Sequence, residues 1–541
     1  MADKTQTQPN ENATTNEKQP RADFNAWLIY AICLGVSLVF MFFFGLDSPI
    51  HTFNSHCDYQ WFVTMGRGLV AGKVPYRDLF EQKGPIVYLV FAFASLFSNI
   101  QSIQFVIWCI EVLCVSLFLY FSYRIARKFL SPYLSLAVVP LTMMVLSTNY
   151  CRGIEGSCVE EYCLPIFAYG LLCFLDFLMD HRPATWRRSL AIGICLGILL
   201  WVKYTLWEFF LVPMLIWLIV NLVHRKFWEI LRAGLIMLGG VLIVTAPIII
   251  WFAAAGALDD LFTVYFLLNI TRYSGDTVGL TSGEAVWRAL KNILNVFWIG
   301  AYFILFFVWG VVCFAIQYWR QKSGWLLLIA VVPTWLVIGF FCGFIYYYLP
   351  LFTYAVLGVI YAVKVVCHML TAVDVKIQRQ CSKIITVVVV AVISFLSALP
   401  FIENLTEINC PRENYAPLMV ADIIAEYNQK ENKSATLFCY RISDAGFYNA
   451  AGLVPAMYYY AENSFTERDF PEMFAAFDET ISSQLCDFVV TYRGVYLEHE
   501  VFLAQYYHPY RDGDLDASTL PFRFYEPGGY GENEIVVLFR N

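Results

Sequence analysis

Long apolar stretches recur along residues 25–400 and are separated by short polar or charged segments. Several of them approach the ~20 residues that an α-helix needs to cross the hydrocarbon of a bilayer. The pattern therefore predicts about eleven membrane-spanning helices. The predicted stretches are Asn25–Leu46, Ile103–Tyr123, Leu134–Leu146, Leu164–Met179, Leu190–Val202, Phe209–Leu222, Ala233–Ala255, Ile293–Ile316, Trp325–Phe341, Tyr346–Val366 and Ile384–Pro400.

Residues 401–541 have a different pattern, with short apolar runs between polar segments. The runs Ala435–Tyr440, Asp487–Tyr492 and Glu534–Phe539 are typical of β-strands. Met473–Leu485 has helical spacing and leads directly into the second of these runs. Helices and strands that follow each other in this way pack economically in layers, so we expect a small α/β domain.

The residues before the first span, 1–24, are polar and have the composition of a disordered tail. The predicted fold is thus mainly α: a polytopic transmembrane helical bundle, 25–400, with an external loop at 47–102. A soluble α/β domain, 401–541, follows it.

Composition excludes a soluble globular protein, because 59% of the residues are hydrophobic and only 15% are charged. Residues 401–541 contain 22 Asp and Glu against 9 Lys and Arg. A domain this acidic repels nucleic acid, which we exclude as a partner. The expected surroundings are a lipid bilayer.

The distribution of charge predicts the orientation in the membrane. The apolar run Ile86–Ser98 is short, and we expect it not to cross. All the basic loops then fall on the side that holds the N-terminus, with fifteen Lys and Arg against three acids. Cytoplasmic loops carry such an excess. We therefore expect a plasma-membrane protein with a cytoplasmic N-terminus, and with loop 47–102 and residues 401–541 outside the cytoplasm.

Polar residues that could carry chemistry concentrate in two outer loops. The first contains Asp58 and, further on, Lys83. The second contains the adjacent acids Glu160 and Glu161. Residues that favour turns and helix starts divide the first loop, and we expect them to shape it. This loop-shaping set consists of Pro75, Tyr76, Asp78 and Pro85.

The order of these motifs resembles that of the polytopic GT-C glycosyltransferases. The similarity is greatest to their protein-mannosyltransferase and aminoarabinose-transferase-like branch in bacterial envelopes. Four motifs carry the resemblance, which covers the first half of the chain. They are Asp58, Gly72–Asp78, Lys83–Pro85 and Glu160–Tyr162. The resemblance implies a glycosyltransferase that takes a sugar from a polyprenyl-phosphate carrier. It also implies an acceptor outside the membrane, which could be an envelope glycan, a lipid or a protein.

Several members of that group have two adjacent acids at the first motif, whereas Asp58 is followed by Tyr59. A metal ion held by an acid pair in this loop is therefore not assigned. A divalent cation shared by Asp58 with Glu160 or Glu161 is left open. No other cofactor is expected.

Glycosyl transfer needs a carboxylate that removes a proton from the acceptor hydroxyl, and we assign Asp58 this role. Glu160 and Glu161 are further catalytic candidates. The leaving phosphate gains negative charge beside a low-dielectric bilayer, where a fixed cation stabilises it strongly. Four residues are candidates for binding it: Lys83 as first choice, then Arg67, Lys203 and Arg272.

Each candidate also has a purely structural interpretation. Asp58 could be a helix N-cap, and Lys83 could extend to the lipid headgroups. Lys203 could form a salt bridge with Glu208 between neighbouring spans. Glu160 and Glu161 could be acids favoured by the first turn of a helix.

Two other functions fit a polytopic protein. A lipid-sugar flippase or transporter needs polar or broken helices near the middle of the bilayer. Here the spans are nearly free of charge at that depth, with Glu111 as the main exception. A non-catalytic component of an envelope-polysaccharide machine is the second alternative.

Overall fold

The structure is a computed structural model that describes residues 24–147, 158–272, 282–299, 301–341, 345–373, 379–398, 410–511, 519–526 and 529–541. The predicted tail lies outside the described residues up to position 23. Seventeen α-helices precede residue 400 in the described part. They are α1 Ala26–Phe44, α2 Cys57–Val70, α3 Pro85–Ser95, α4 Ile100–Ala126, α5 Pro132–Ser147, α6 Val159–Tyr162, α7 Leu164–Asp180, α8 Trp186–Lys203, α9 Glu208–Val223, α10 Phe227–Ala254, α11 Leu258–Asp260, α12 Asn269–Thr271, α13 Ser282–Ile299, α14 Ala301–Gln317, α15 Ser323–Phe341, α16 Leu349–Val373 and α17 Arg379–Ala398.

Helices occupy every predicted span, which confirms the polytopic helical bundle. Among the described residues, five segments are long and apolar enough to cross a membrane: Ala26–Phe44, Ile100–Ala126, Trp186–Val223, Phe227–Ala254 and Tyr346–Met369. The number of spans, eleven, therefore stays a prediction.

The predicted stretch Ile293–Ile316 falls on α13 and α14. Position 300 between them lies outside the described residues, so a single helix over this stretch stays a prediction.

Helix α3 covers most of the short apolar run Ile86–Ser98, which we expect not to cross the membrane. Its 11 residues span about 16 Å, roughly half of the ~30 Å of hydrocarbon. It packs against α2 and α4 and thereby closes the external loop onto the bundle.

Close helix packing in the bundle depends on glycine. Where α14 meets α16, a Cβ on Gly310 would lie 2.1 Å from the backbone nitrogen of Gly358. The two backbones touch because neither residue has a side chain, as is usual where helices pack inside membranes.

The C-terminal domain is an α/β layer structure, as predicted. Its helices and strands are α18 Ala416–Glu431, β1 Leu437–Cys439, α19 Gly446–Ala450, α20 Pro471–Ser482, β2 Phe488–Tyr492, α21 Arg493–Leu503, β3 Tyr507–Pro509, β4 Thr519–Glu526 and β5 Gly529–Arg540. Strands β1 and β2 are parallel. Strand β5 pairs antiparallel with β2 on one edge and with β3 and β4 on the other.

The C-terminal domain packs on the external loop through an aromatic cluster. The ring of Phe80 lies 5.0 Å from Tyr459, 5.5 Å from Phe470, 5.7 Å from Tyr458 and 6.3 Å from Phe465, measured between ring centroids. The backbone N–H of Phe80 also donates to the carbonyl of Tyr458 at 3.0 Å. Apolar burial and a backbone hydrogen bond thus join the domain to the loop that carries the candidate residues.

Asp487 connects three segments of the C-terminal domain. Its carboxylate accepts hydrogen bonds from Lys433 at 2.6 Å and Arg540 at 3.1 Å. It also accepts from the backbone and hydroxyl of Thr436, both at 3.0 Å. Burial raises the pKa of Asp487, but the hydrogen bonds from Lys433 and Thr436 outweigh burial and leave the pKa below its usual value.

We expect Asp487→Asn to destabilise the C-terminal domain by about 2 kcal/mol, because a buried carboxylate with charged donors is lost. A carboxyl whose pKa is lowered on folding stabilises the fold above its unfolded pKa. The wild-type advantage should therefore be full at neutral pH and disappear as the pH falls through the acid range. Thermal unfolding of the full-length protein in detergent, followed between pH 3 and pH 8, tests this. Equal melting temperatures for variant and wild type at pH 7 would contradict it.

Candidate active site

Helix α2 places Asp58 at the entrance of the candidate site. The N-cap of the helix is His56, and Asp58 lies in the first turn behind it. The interpretation of Asp58 as the N-cap was therefore wrong. Asp58 is half-buried, whereas Tyr59 beside it is fully buried.

Cys57 shows which charged groups surround Asp58. Cys57 has an exposed surface. Burial of its thiol, and then the carboxylates of Asp58 and Asp444, raise the pKa of Cys57, whereas Lys83 lowers it. The charges of Asp58 and Lys83, which were predicted from separate motifs, thus both influence this thiol, as does an acid from the C-terminal domain.

The main chain of Lys83 is held by three hydrogen bonds. Its N–H donates to Oε2 of Glu81 at 2.8 Å. Its carbonyl accepts from the hydroxyl of Tyr76 at 2.6 Å and from that of Tyr88 at 2.9 Å. The position of this half-buried lysine therefore depends on its backbone, and its ammonium group is the part that can serve a ligand.

The loop-shaping residues form a compact turn ahead of Lys83. Asp78 accepts from the backbone N–H of Val74 at 2.7 Å and pairs with Arg77 at 2.8 Å. The hydrogen bond from Arg77 holds the pKa of Asp78 below its usual value. Tyr76 adopts a left-handed conformation with φ 68°. Pro75 bridges to Leu79 in the same turn.

The turn at Lys83 is seated on the end of α8 through Gly84. The N–H of Gly84 donates to the carbonyl of Val202 at 3.0 Å. A Cβ on Gly84 would lie 2.0 Å from the carbonyl oxygen of Trp201. Only glycine allows this approach. Pro85 then begins α3, the helix position where its missing N–H costs least.

Because the N–H of Gly84 donates to the carbonyl of Val202, the residues next to them in the chain, Lys83 and Lys203, are also close in the fold. Lys203 forms an ion pair with Glu160, and its ammonium group lies 3.5 Å from the ring centroid of Tyr347. The expected structural salt bridge with Glu208 is thus replaced by one with Glu160. Glu160 is fully buried, and a buried carboxylate needs such a counter-charge.

Glu161 belongs to a second buried group of acids. Burial, then Glu111, raise the pKa of Asp47 well above its usual value, and Glu161 adds to this effect. The hydroxyl of Tyr162 donates to Glu111 at 3.0 Å, and Asn54 donates to Asp47. Glu160 and Glu161 thus have different charged partners, and their convergence with Asp58 stays a prediction.

Arg67 and Arg272 contact the C-terminal domain. Arg67 donates to the carbonyl of Asn449 at 2.7 Å. Arg272 forms two hydrogen bonds with Glu472, at 2.9 Å and 3.0 Å. Both guanidinium groups thus join the domain to the membrane bundle.

The described residues contain no group of three or more His, Cys, Asp or Glu side chains that could hold a metal ion. The sharing of a divalent cation between Asp58 and Glu160 or Glu161 has no support in this geometry.

Two crystal structures share this architecture over nearly the whole chain. ArnT from Cupriavidus metallidurans bound to undecaprenyl phosphate matches with a TM-score of 0.57 and 13% sequence identity, covering 94% of this chain and 97% of ArnT. The chain has the ArnT fold. The apo state of the same protein matches with a TM-score of 0.56 and 12% identity, over the same shares. No protein-family model and no curated protein sequence matches the chain.

The ArnT fold confirms the architecture that the resemblance to GT-C glycosyltransferases implied. It extends the similarity beyond the first half of the chain, where the sequence motifs lie, to the C-terminal domain. At this level of identity the match shows the fold, and the chemistry has to be argued from the residues.

Sequence reasoning missed two buried acids. Asp47 lies three residues after the end of α1, and its position at the end of a span could have drawn attention to it. Asp444 lies in a loop of the C-terminal domain and has no motif around it. Only the fold brings it beside Cys57, 387 positions earlier in the chain.

We expect Gly84→Ala to destabilise the protein by about 1–3 kcal/mol, because the added methyl group forces the Lys83 turn away from α8. Thermal unfolding of the purified protein in detergent measures this. Gly35→Ala is the matched control, since no atom lies within 4 Å of a Cβ at Gly35. Equal melting temperatures for the two variants would show that the close contact of Gly84 with α8 does not contribute to stability.

Proposed function

We propose that the protein is an integral membrane glycosyltransferase. It transfers a sugar from a polyprenyl-phosphate donor to a hydroxyl group of a cell-envelope acceptor on the extracytoplasmic side. The proposal places a half-buried carboxylate, Asp58, and Lys83 in one cleft. The observation that supports it is the contact of the Lys83 turn with the end of α8, where the N–H of Gly84 donates to the carbonyl of Val202 beside Lys203. The excess of Lys and Arg in the loops on the N-terminal side supports the extracytoplasmic placement.

The ArnT fold supports a lipid-linked donor. One of the two ArnT structures was determined with undecaprenyl phosphate bound. In the present chain, Lys83 and Lys203 lie on either side of the contact between Gly84 and Val202. A phosphate at this end of α8 would face two cations beside a low-dielectric bilayer, where their attraction is strong.

In the proposed reaction, the acceptor oxygen attacks the anomeric carbon of the donor sugar. The bond between that carbon and the phosphate oxygen breaks, and the polyprenyl phosphate leaves with the electron pair. Asp58 takes the proton of the acceptor hydroxyl as general base. Lys83 stabilises the charge that develops on the leaving phosphate.

Glu160 supports the site by holding Lys203. The buried ion pair and the ring of Tyr347 fix the ammonium group of Lys203. We therefore assign Glu160 a positioning role instead of a direct catalytic one. Glu161 belongs to the buried acids around Asp47 and takes no part in the proposed step.

The charge on Asp58 should be essential for transfer. We expect Asp58→Asn to lower the rate about 10²–10⁴-fold, because the amide cannot accept the proton. The assay follows radiolabel from a panel of polyprenyl-phosphate sugars into the envelope fraction of the native host, with the purified protein in liposomes. Asp422→Asn, an exposed acid of the C-terminal domain that pairs with Arg412, is the control.

The same assay separates the alternative functions. An Asp58→Asn variant that transfers sugar like the wild type would favour a non-catalytic assembly component. Movement of labelled donor across liposomes without an acceptor, and without bond cleavage, would favour a flippase.

The side chain of Lys83 should act on the phosphate. We expect Lys83→Met to lower the transfer rate about 10²-fold, since one charged partner of the leaving group is lost. The fold should persist, because the hydrogen bonds that fix the turn use the main chain of Lys83. A rate within a factor of about two of the wild type would rule out this role.

A further inference from the structure

The C-terminal domain holds α2 by hydrogen bonds along one face. The side chain of Asn449 donates to the carbonyl and to the side-chain oxygen of Gln60, both at 2.8 Å. It accepts from the hydroxyl of Thr64 at 3.1 Å. Arg67, one turn further along, donates to the backbone carbonyl of Asn449. The helix that carries Asp58 is thus fixed against this domain.

Nearer to the start of α2, the indole N–H of Trp61 donates to the carbonyl of Ser443 at 3.0 Å. This contact brings Asp444, the next residue, to the end of the helix where Cys57 and Asp58 lie. The loop fits closely there, since a Cβ on Gly446 would lie 3.1 Å from the ring of Phe53.

Among the described residues, only one oxygen of the Asp444 carboxylate has a hydrogen-bond partner. One oxygen, Oδ1, accepts from the backbone N–H of Gly446 at 2.7 Å. The other, Oδ2, is buried and has no hydrogen-bond partner among the described residues, although Asp444 is only 4% exposed. Burial raises the pKa of Asp444 to about 7. A buried polar atom without a partner is costly, and a bound ligand can supply the missing hydrogen bond.

Asp444 lies close to the helix face that carries Asp58. Trp61 follows Asp58 by three positions and therefore shares a face of α2 with it, and the carbonyl that Trp61 contacts belongs to Ser443, the neighbour of Asp444. Both carboxylates also raise the pKa of the Cys57 thiol. The loop around Asp444 therefore lies beside the proposed cleft, on the side of the C-terminal domain.

We propose that Asp444 is an acceptor-binding residue of the transferase: its Oδ2 accepts a hydrogen bond from a hydroxyl group of the acceptor and thereby presents a neighbouring hydroxyl to Asp58. This inference rests on the proposed glycosyltransferase function. If it holds, the C-terminal domain contributes a residue to the acceptor-binding site. The acceptor then has several hydroxyl groups, as a glycan does.

The charges of the cleft favour the acceptor over the donor as the ligand of Asp444. A carboxylate repels the phosphate of a polyprenyl donor, which Lys83 and Lys203 attract instead. A neutral polyhydroxylated molecule can donate a hydrogen bond to the carboxylate without that penalty. The position of Asp444 on the soluble domain suits an acceptor that reaches the site from outside the membrane.

The kinetic test compares Asp444→Asn with the wild type in liposomes. We expect Asp444→Asn to need at least ten times more host envelope fraction than the wild type for the same transfer rate. Transfer should recover as the amount of that fraction is increased. Hydrolysis of the labelled donor by water should be unchanged, because donor and base remain in place. The substitution keeps the shape and one oxygen acceptor for Gly446, and the melting temperature checks that the fold is intact. Asp422→Asn should behave as the wild type.

A second readout does not require the acceptor. Alkylation of Cys57 by N-ethylmaleimide at pH 8.5, followed by mass spectrometry, should be roughly threefold faster in Asp444→Asn, because a negative charge near the thiolate is removed. Asp58→Asn should also accelerate alkylation, and Asp422→Asn should not.

An unchanged alkylation rate in Asp444→Asn would overturn the inference, and so would a parallel loss of transfer and donor hydrolysis. The inference would also be overturned if Asp444→Asn and the wild type needed the same amount of envelope fraction for transfer. A wild-type protein that neither transfers nor hydrolyses any donor would overturn the proposed function itself, and the acceptor role with it.

Discussion

The contact between Gly84 and the end of α8 is the constraint on which the site depends. The backbone of the external loop lies directly on the carbonyls of Trp201 and Val202, because Gly84 has no side chain. The loop can therefore bring Lys83 next to the end of the helix that carries Lys203. The hydroxyls of Tyr76 and Tyr88 hold the same turn from the other side.

A buried ion pair lies next to this contact. Glu160 is fully buried and pairs with Lys203, and separating the two would leave an uncompensated charge in a low-dielectric region. The pair therefore fixes the end of α8 on which Gly84 packs. Under the proposed function, a cation held in this way could stabilise a developing charge without rearrangement.

The sequence was enough to predict the membrane helices and to select Asp58 and Lys83 as candidate residues. Apolar stretches and the charge distribution depend on local composition, and the motifs around Asp58 and Lys83 lie within one loop. The partner of Lys203 could not be predicted in the same way, because Glu160 and Glu208 are both plausible from spacing alone. Asp444 could not be predicted at all, since its role depends on the packing of the C-terminal domain on α2.

The central claim is that Asp58 and Lys83 serve one substrate in one cleft. A cryo-electron microscopy structure of the protein in lipid nanodiscs with undecaprenyl phosphate would test it most directly. The account predicts that a phosphate oxygen lies within hydrogen-bonding distance of the Lys83 ammonium group, on the side of the cleft that Asp58 faces. A phosphate bound beyond about 6 Å from Lys83, or on the opposite side of the bundle from Asp58, would contradict it.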